Sequence, residues 1–512
     1  MTYDPNSATV RDLQPCVTAP EPLAPAPVSV RFRAEPRTLK AAQNWAGFST
    51  ARPRGRRIEQ VYFDTPQAAL ASHNMALHLC GQQRRHVLTL ETLGEAFEAQ
   101  PAMPEPAYEA LGAEAEARIS QVLDGEALQP VFTLDIKRVL RHVKTPSGVV
   151  EVAFDSGVIR NPPHSLPVCV ITLALKAGDP TELTRVGLEF AAAFPLRLGC
   201  QTTLERGAQL VSGMAPTSPK VEPGLQGAPT VDAAISLFIT GCLTQFTANF
   251  PVFEQGDAER AVHQMRVAMR RLRSVLGVFE RAFPSAEFAA YRSQARAIAA
   301  TLGQARDWDV FQALAGQGPR RAFPDETGFA ALMAGAGAAR AAGYAQVRAL
   351  LDGPEVVRFV LGLQGFAARH GWRNAVAVEA LAALAAPAAG FGQANLARQH
   401  RKIARRGKRL AALPPQQRHE IRKQLKKLRY TAEFFGGQPA AYIRAAAALQ
   451  DRLGAANDAA GAIHLAARLQ DADPATCRAA GIVMGYCGRD MAGDGAALRK
   501  AWKKFRRAKI FR

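Results

Sequence analysis

The chain has 512 residues, 48% of them hydrophobic, and carries 64 Lys+Arg against 44 Asp+Glu for a formal net charge of +20. Length and hydrophobic content fit two or three globular domains, and the seven cysteines, scattered singly with no C-x-x-C pair, argue against a disulfide framework and for reduced cytoplasmic thiols. The N-terminus lacks a basic segment followed by an apolar one, and no run of 18 apolar residues occurs, so neither a secretory signal nor a transmembrane helix is expected.

The positive excess is confined to one half. Residues 231–512 hold 42 Lys+Arg against 21 Asp+Glu, whereas the remainder holds 22 against 23. A polyanionic partner is therefore expected for the C-terminal half only.

In chain order, residues 1–27 end in EPLAPAP and read as a disordered arm. Residues 28–213 read as strand-rich, with strands over 28–34, 59–64, 76–80, 86–92, 132–142, 149–154 and 168–176, and a helix over 183–194. Residues 214–230 are rich in Pro, Gly, Ser and Thr and read as a linker. From residue 231 to 512 the pattern is helical, with one repeat over about 231–385 and a second over about 390–512.

The helical half is organised around AVHQMRVAMRRLRSVLGVFE, residues 261–280. At about 100° per residue, His263, Arg266, Arg270 and Arg273 share one face, while Val262, Met265, Met269, Leu272 and Leu276 form an apolar stripe. The second repeat places His419, Arg422, Lys426 and Arg429 at the same offsets of zero, three, seven and ten. Each basic segment is followed by a second shared motif, LGQARDWDV at 302–310 and LGAANDAAG at 453–461, which aligns Asp307 with Asp458. Two motifs in the same order twice indicate an internal duplication. A third column, Arg398, Lys402, Arg405 and Arg409, precedes the second repeat's motif. Like charges at i, i+3 and i+4 repel along a helix, which argues for a counter-anion rather than a plain solvated face. Guanidinium groups suit phosphate oxygens because they bind in bidentate fashion and stay charged.

The run H-x-x-R-V-x-x-R-R-L-R with L-G-x-x-R-D-x-D-V resembles the CHAD family, the conserved histidine α-helical domain, over about 231–512. The resemblance implies two pseudo-symmetric helical bundles around a basic groove that binds inorganic polyphosphate, with association to polyphosphate granules in a bacterial cytoplasm. The residues expected to bind are His263, Arg266, Arg270, Arg271, Arg273, Arg398, Lys402, Arg405, Arg409, His419, Arg422, Lys423, Lys426, Lys427 and Arg429. Asp307 and Asp458 are expected to hold arginines in place. His263 and His419 are expected to donate hydrogen bonds to phosphate, with packing against a neighbouring helix as the alternative. The columns carry no interleaved aromatics for base stacking, which disfavours nucleic acid.

The segments VYFDTP, MALHL, HVLTLE, VVEVAFDSGVI, LALKAG and LERG resemble the CYTH family of triphosphate-tunnel enzymes across most of residues 28–213. The fold class implied for the whole chain is α+β and multidomain, an antiparallel β tunnel followed by an all-α domain. In that family, acidic residues bind a divalent metal, Mg or Mn, and basic ones bind the triphosphate. Here the opening E-x-E-x-K positions read Pro27, Ser29 and Arg31; later tunnel positions read His78, Cys80, Glu91, Val170, Thr172, Ala174, Thr202 and Thr203. Glu151, Asp155, Arg138 and Lys176 remain. Phosphoryl transfer needs metals and cations around the transferring group, so the tunnel half is expected to be degenerate and non-catalytic, with no cofactor. An inorganic triphosphatase is the alternative. Oligomeric state is not legible.

Overall fold

A computed structural model describes residues 29–50, 52–82, 85–92, 95–101, 103, 105–219, 224–225, 227–375, 378–470, 473–493 and 495–511. The expected arm over residues 1–27, with Pro27 in it, lies outside them. The first part of the chain comprises β1 (Ser29–Arg33), α1 (Pro36–Ala42), β2 (Arg54–Asp64), α2 (Ala69–Ser72), β3 (Ala76–Gln82), β4 (Arg85–Glu91), β5 (Ala96–Ala99), α3 (Ala113–Leu123), β6 (Gln129–Thr145), β7 (Gly148–Asn161), β8 (His164–Gly178), α4 (Pro180–Ala193), β9 (Arg197–Leu198) and α5 (Thr203–Ser212). Helices follow: α6 (Val231–Thr247), α7 (Phe250–Gln255), α8 (Ala258–Ala282), α9 (Ala286–Gln317), α10 (Pro319–Ala322), α11 (Gly328–Asp352), α12 (Pro354–Ala368), α13 (Val378–Ala385), α14 (Ala388–Arg406), α15 (Pro415–Phe435), α16 (Ala440–Ala467), α17 (Pro474–Gly493) and α18 (Gly495–Arg507). The fold is thus an antiparallel β-sheet region followed by a helical region, as expected.

The chain divides into two compact units, one holding residues 60–131 and the other residues 29–59 and 132–512. In the smaller unit β3 pairs antiparallel with the end of β2 and with β4, and β4 with β5. Leu77, Leu79, Leu88 and Leu90 project from one face of β3 and β4 onto Ile119 and Leu123 of α3. Residues two apart on a strand share a face, which is what lets these leucines form one layer. Strand β5 and helix α3 carried no recognised sequence signal.

In the larger unit β6, β7 and β8 form a long antiparallel meander, and β1 pairs with both β8 and β9. These strands run several residues beyond the spans expected from sequence. Their inner face, with Phe32, Val150, Val152, Phe154, Ile171 and Leu173, packs on Phe190 and Val186 of α4. The same core takes in Val357 and Leu361 of α12, so part of the sheet and the helical region share one apolar core. Thr202, expected at a tunnel position, instead caps α5 in a reciprocal pair with Glu205, and Gly207 of the LERG motif lies under the Phe132 ring, where a Cβ would come within 2.3 Å of it.

The helical part repeats a long helical hairpin. Helices α8 and α9 make the first, α15 and α16 the second. Asp257 caps α8 by accepting the Arg260 N–H. The apolar stripe Val262, Met265, Met269, Leu272 and Leu276 is fully buried in a core shared with α6, α9 and α12. The α6–α7 segment Val231–Gln255 is the one stretch among the described residues long and apolar enough to cross a membrane, and Phe238, Ile239, Leu243 and Phe246 within it are buried in this same core. Ile421, Leu425 and Leu428 of α15 pack on Leu449 and Leu453 of α16 and on Trp502 and Phe505 of α18. Gly436, at φ +61°, ends α15 in a conformation that suits glycine.

Candidate functional site: cations at the crossing of two repeats

Helices α8 and α15 meet through polar side chains. Arg271 donates from Nε and Nη2 to Glu433 at 3.2 and 3.0 Å and from Nη1 to Gln245 at 2.8 Å. The Arg270 guanidinium lies 6.0 Å from the Tyr430 ring centre. Lys427 Nζ points to the Gly277 carbonyl at 3.4 Å.

Beside this crossing the two basic columns converge. Arg266 and Arg270 of the first repeat lie near enough to Arg422 and Lys426 of the second for their charges to act on one another. Burial, and then Arg270, Arg422 and Arg266, push the Lys426 ammonium down to about 7. Burial, with Arg306, Arg270 and Arg266 adding to it, pushes His263 down to about 4, so its ring is neutral near pH 7. Among the described residues, the Nε atoms of Arg270, Arg273 and Arg422 are buried without a hydrogen-bond partner. A buried donor without an acceptor is costly, so these groups lack the acceptors that an anion would supply. Asp307 stands 3.3 Å from Arg266, and Asp458 stands 3.6 Å from Arg422.

Several expected residues point elsewhere. Arg271, expected in the binding set, has its guanidinium taken up by Glu433 and Gln245. Lys423 pairs with Glu420 on its own helix at 2.8 Å, and Arg398 donates to Asn395. Arg429 lies 3.8 Å from Glu433. Arg409 does not continue the third column: α14 stops at Arg406, and Gly407 beyond it lies against the Trp502 ring, where a Cβ would come within 2.3 Å. Arg405 remains on α14 and is exposed, and His419 is half-buried. Arg273 approaches Arg296 and Arg292 of α9, and Lys402 approaches Lys427.

One acid escaped sequence reading. Asp309, two residues past Asp307, is buried and accepts from Arg340 Nε at 2.6 Å, Arg306 Nη1 at 3.4 Å and the Tyr344 hydroxyl at 3.1 Å. Arg306 also reaches Glu259 in the first turn of α8. This network ties α9 to α8 and α11 behind His263. The D-x-D spacing was its only signal, and Ala460 replaces the acid in the second repeat.

In the tunnel-like half, Arg138 closes on Asp155 in bidentate fashion at 2.7 and 2.8 Å. Glu151 lies 3.4 Å from His142 and 3.8 Å from Lys176. In the smaller unit, His78 is buried against Tyr62 and pushed down to about 4 by desolvation. Among the described residues, no group of three or more His, Cys, Asp or Glu side chains is placed to hold a metal ion.

Comparison with known proteins gives two families. The CYTH domain matches residues 28–208 and the CHAD domain matches residues 238–467. An inorganic triphosphatase of Haemophilus influenzae is 27% identical over 133 residues, 25% of this chain, and the chain spans 38% of that relative's length. The CHAD domain structure from the plant Ricinus communis is 27% identical, with a TM-score of 0.45, over 58% of this chain and 97% of that one. A putative adenylyl cyclase from Hippeastrum, described as having a dominant triphosphatase activity, is 14% identical with a TM-score of 0.24 over 36% of this chain and 95% of that one.

Proposed function

Because the chain carries a CYTH domain followed by a CHAD domain, we propose that it binds inorganic polyphosphate in the basic groove between its two helical repeats and joins polyphosphate granules in the cytoplasm. The observation that carries this reading is the convergence of Arg266, Arg270, Arg422 and Lys426, with buried Nε donors left without acceptors. Four cations at one crossing repel each other and depress Lys426, and a chain of phosphates removes that penalty while filling the donors. The geometry suits an anion with closely spaced charges. Asp307 and Asp458 aim Arg266 and Arg422 from outside the cluster. His263, neutral in the free protein, can donate one ring N–H to a phosphate oxygen.

The test uses the full chain and long-chain polyphosphate across a salt series. Tight binding that weakens steeply with salt, as counterion release requires, and that collapses when Arg266, Arg270, Arg422 and Lys426 become Ala, supports the reading. Affinity that survives all four substitutions overturns it. DNA that competes equally at equal charge would overturn the preference for polyphosphate.

The second reading is an inorganic triphosphatase acting through the CYTH domain. The named Haemophilus relative favours it. The pairing of Asp155 with Arg138 and of Glu151 with His142 and Lys176 weighs against it. Release of phosphate from tripolyphosphate in the presence of Mg or Mn would establish it.

A further inference from the structure

Lys426 and Lys427 are neighbours on α15 and project about 100° apart. They therefore belong to different surroundings. The cations acting on Lys426 are Arg270, Arg422 and Arg266, whereas those acting on Lys427 are Arg281 of α8, Arg292 of α9 and Lys402 of α14.

The duplication makes this second group unexpected. With His263 matched to His419, Arg271 corresponds to Lys427 and Gly277 corresponds to Glu433. On one side of the crossing Arg271 meets Glu433. On the other side its counterpart Lys427 meets Gly277, which has no carboxylate. The glycine also makes room: a Cβ there would come 3.2 Å from Lys427 Nζ and 3.3 Å from Arg292 Nη1, so the two cations close over the same backbone. Arg292 pairs with Glu280 at 2.6 Å. Among the described residues, no carboxylate lies within ion-pair distance of Arg281, Lys402 or Lys427. Alongside is an open cleft of about 600 Å³, lined by Glu280, Arg281, Pro284, Ser285, Ala286 and Arg292.

We propose that Arg281, Arg292, Lys402 and Lys427, contributed by four helices around Gly277, form a second condensed-phosphate subsite outside the Arg266–Arg422 cluster. The proposal rests on the reading that the helical half binds polyphosphate, and adds to it two arginines, Arg281 and Arg292, that no sequence motif marks. The repeat symmetry is broken here. One equivalent position meets a carboxylate directly; at the other, Glu280 pairs with Arg292 and acts on Arg281 and Lys427 only from beyond ion-pair distance, so one carboxylate stands against four cations. Arg281 and Arg292 line the cleft, while Lys402 and Lys427 approach each other from α14 and α15, so positive charge spread over four helices suits a phosphate run of two or more units better than a single phosphate. The occupant is either a polyphosphate chain continuing past α15 or a short condensed phosphate bound independently.

The experiment titrates the full chain with tripolyphosphate and with a long chain. Three proteins are compared: the wild type, Arg281→Gln/Lys402→Gln, and Arg266→Ala/Arg422→Ala. Arg281 and Lys402 are exposed and, among the described residues, have no ion-pair partner, so their removal should leave the packing intact. The expected result is that the Arg281/Lys402 variant weakens long-chain binding about 10-fold and flattens the salt slope by about 1.4, at about 0.7 per contact as for a single strand. A fall in tripolyphosphate stoichiometry from two to one in the same variant identifies an independent subsite, and an unchanged stoichiometry identifies a continuation of the groove. Unchanged affinity, stoichiometry and slope overturn the subsite and leave the groove reading standing. Full binding in the Arg266/Arg422 variant, with loss in the other, overturns the groove reading and keeps the subsite. No binding by the wild type overturns both.

Discussion

The Asp307 carboxylate lies 3.3 Å from the Arg266 guanidinium while 58% of the Asp307 side chain stays in solvent. Asp458 repeats the relationship with Arg422 at 3.6 Å and 48% exposure. So exposed a pair stabilises the fold by at most about 1 kcal/mol. If the groove binds polyphosphate as proposed, the pair is expected to act by holding a guanidinium in one orientation. Asp307→Asn with Asp458→Asn is expected to shift the unfolding midpoint little and to weaken long-chain polyphosphate binding several-fold, at high salt as well as low. Tighter binding would mean that the carboxylates only compete with phosphate.

The proposed polyphosphate binding is expected to be proton-linked through Lys426. In the free protein its ammonium is pushed down to about 7 by burial and by Arg270, Arg422 and Arg266. A phosphate beside it favours the charged form. At pH 8 the complex should take up a proton, and affinity should fall as pH rises from about 7 toward 10. Calorimetry at pH 8 in two buffers of different ionisation enthalpy reads the uptake directly, and Lys426→Met should reduce it. The free protein carries the matching sign. Between about 7 and the ordinary lysine value the unfolded chain binds the extra proton, so stability rises with pH through that window. Proton release on binding, or none, would contradict this account.

Arg271 should separate stability from binding. Its guanidinium is mostly buried and joins α6, α8 and α15 through Gln245 and Glu433. Arg271→Ala leaves Glu433 without its principal partner. Hydrogen bonds to charged groups contribute about 1.5–3 kcal/mol, so a loss of that order is expected in chemical denaturation. Polyphosphate affinity per folded molecule should stay within about twofold. A large affinity loss without destabilisation would place Arg271 among the residues that bind.

This contrast marks what the sequence could show. The α8 stripe and the repeat offsets were legible because each is a local rule of spacing on one helix. Arg270 and Arg271 look alike by those rules. They part only because Glu433, 162 positions away, lies across the crossing from Arg271. Arg281 and Arg292 escaped notice for the same reason, since they gain meaning only where Gly277 admits Lys427. Arg409 left its column because α14 ends at Arg406, with Gly407 packed beneath the Trp502 ring from near the C-terminus. In the tunnel-like half the alternation of strands was legible, but the pairing of Arg138 with Asp155 depends on register between β6 and β7.

That register bears on catalysis. Arg138 and Asp155 sit directly opposite each other on neighbouring antiparallel strands, and their side chains meet in two short hydrogen bonds. Asp155 is buried, and both of its oxygens accept from Arg138. Phosphoryl transfer by metal assistance needs several free carboxylates around a bound ion. The full chain is therefore expected to release phosphate from tripolyphosphate no faster than the uncatalysed background with Mg or Mn. Asp155→Asn should destabilise the fold, because it leaves Arg138 facing a neutral amide, and should leave polyphosphate binding unchanged. Metal-dependent turnover abolished by Asp155→Asn in protein that remains folded would establish the triphosphatase reading instead, with Arg138 then acting as a cation for the substrate rather than as a partner for the sheet.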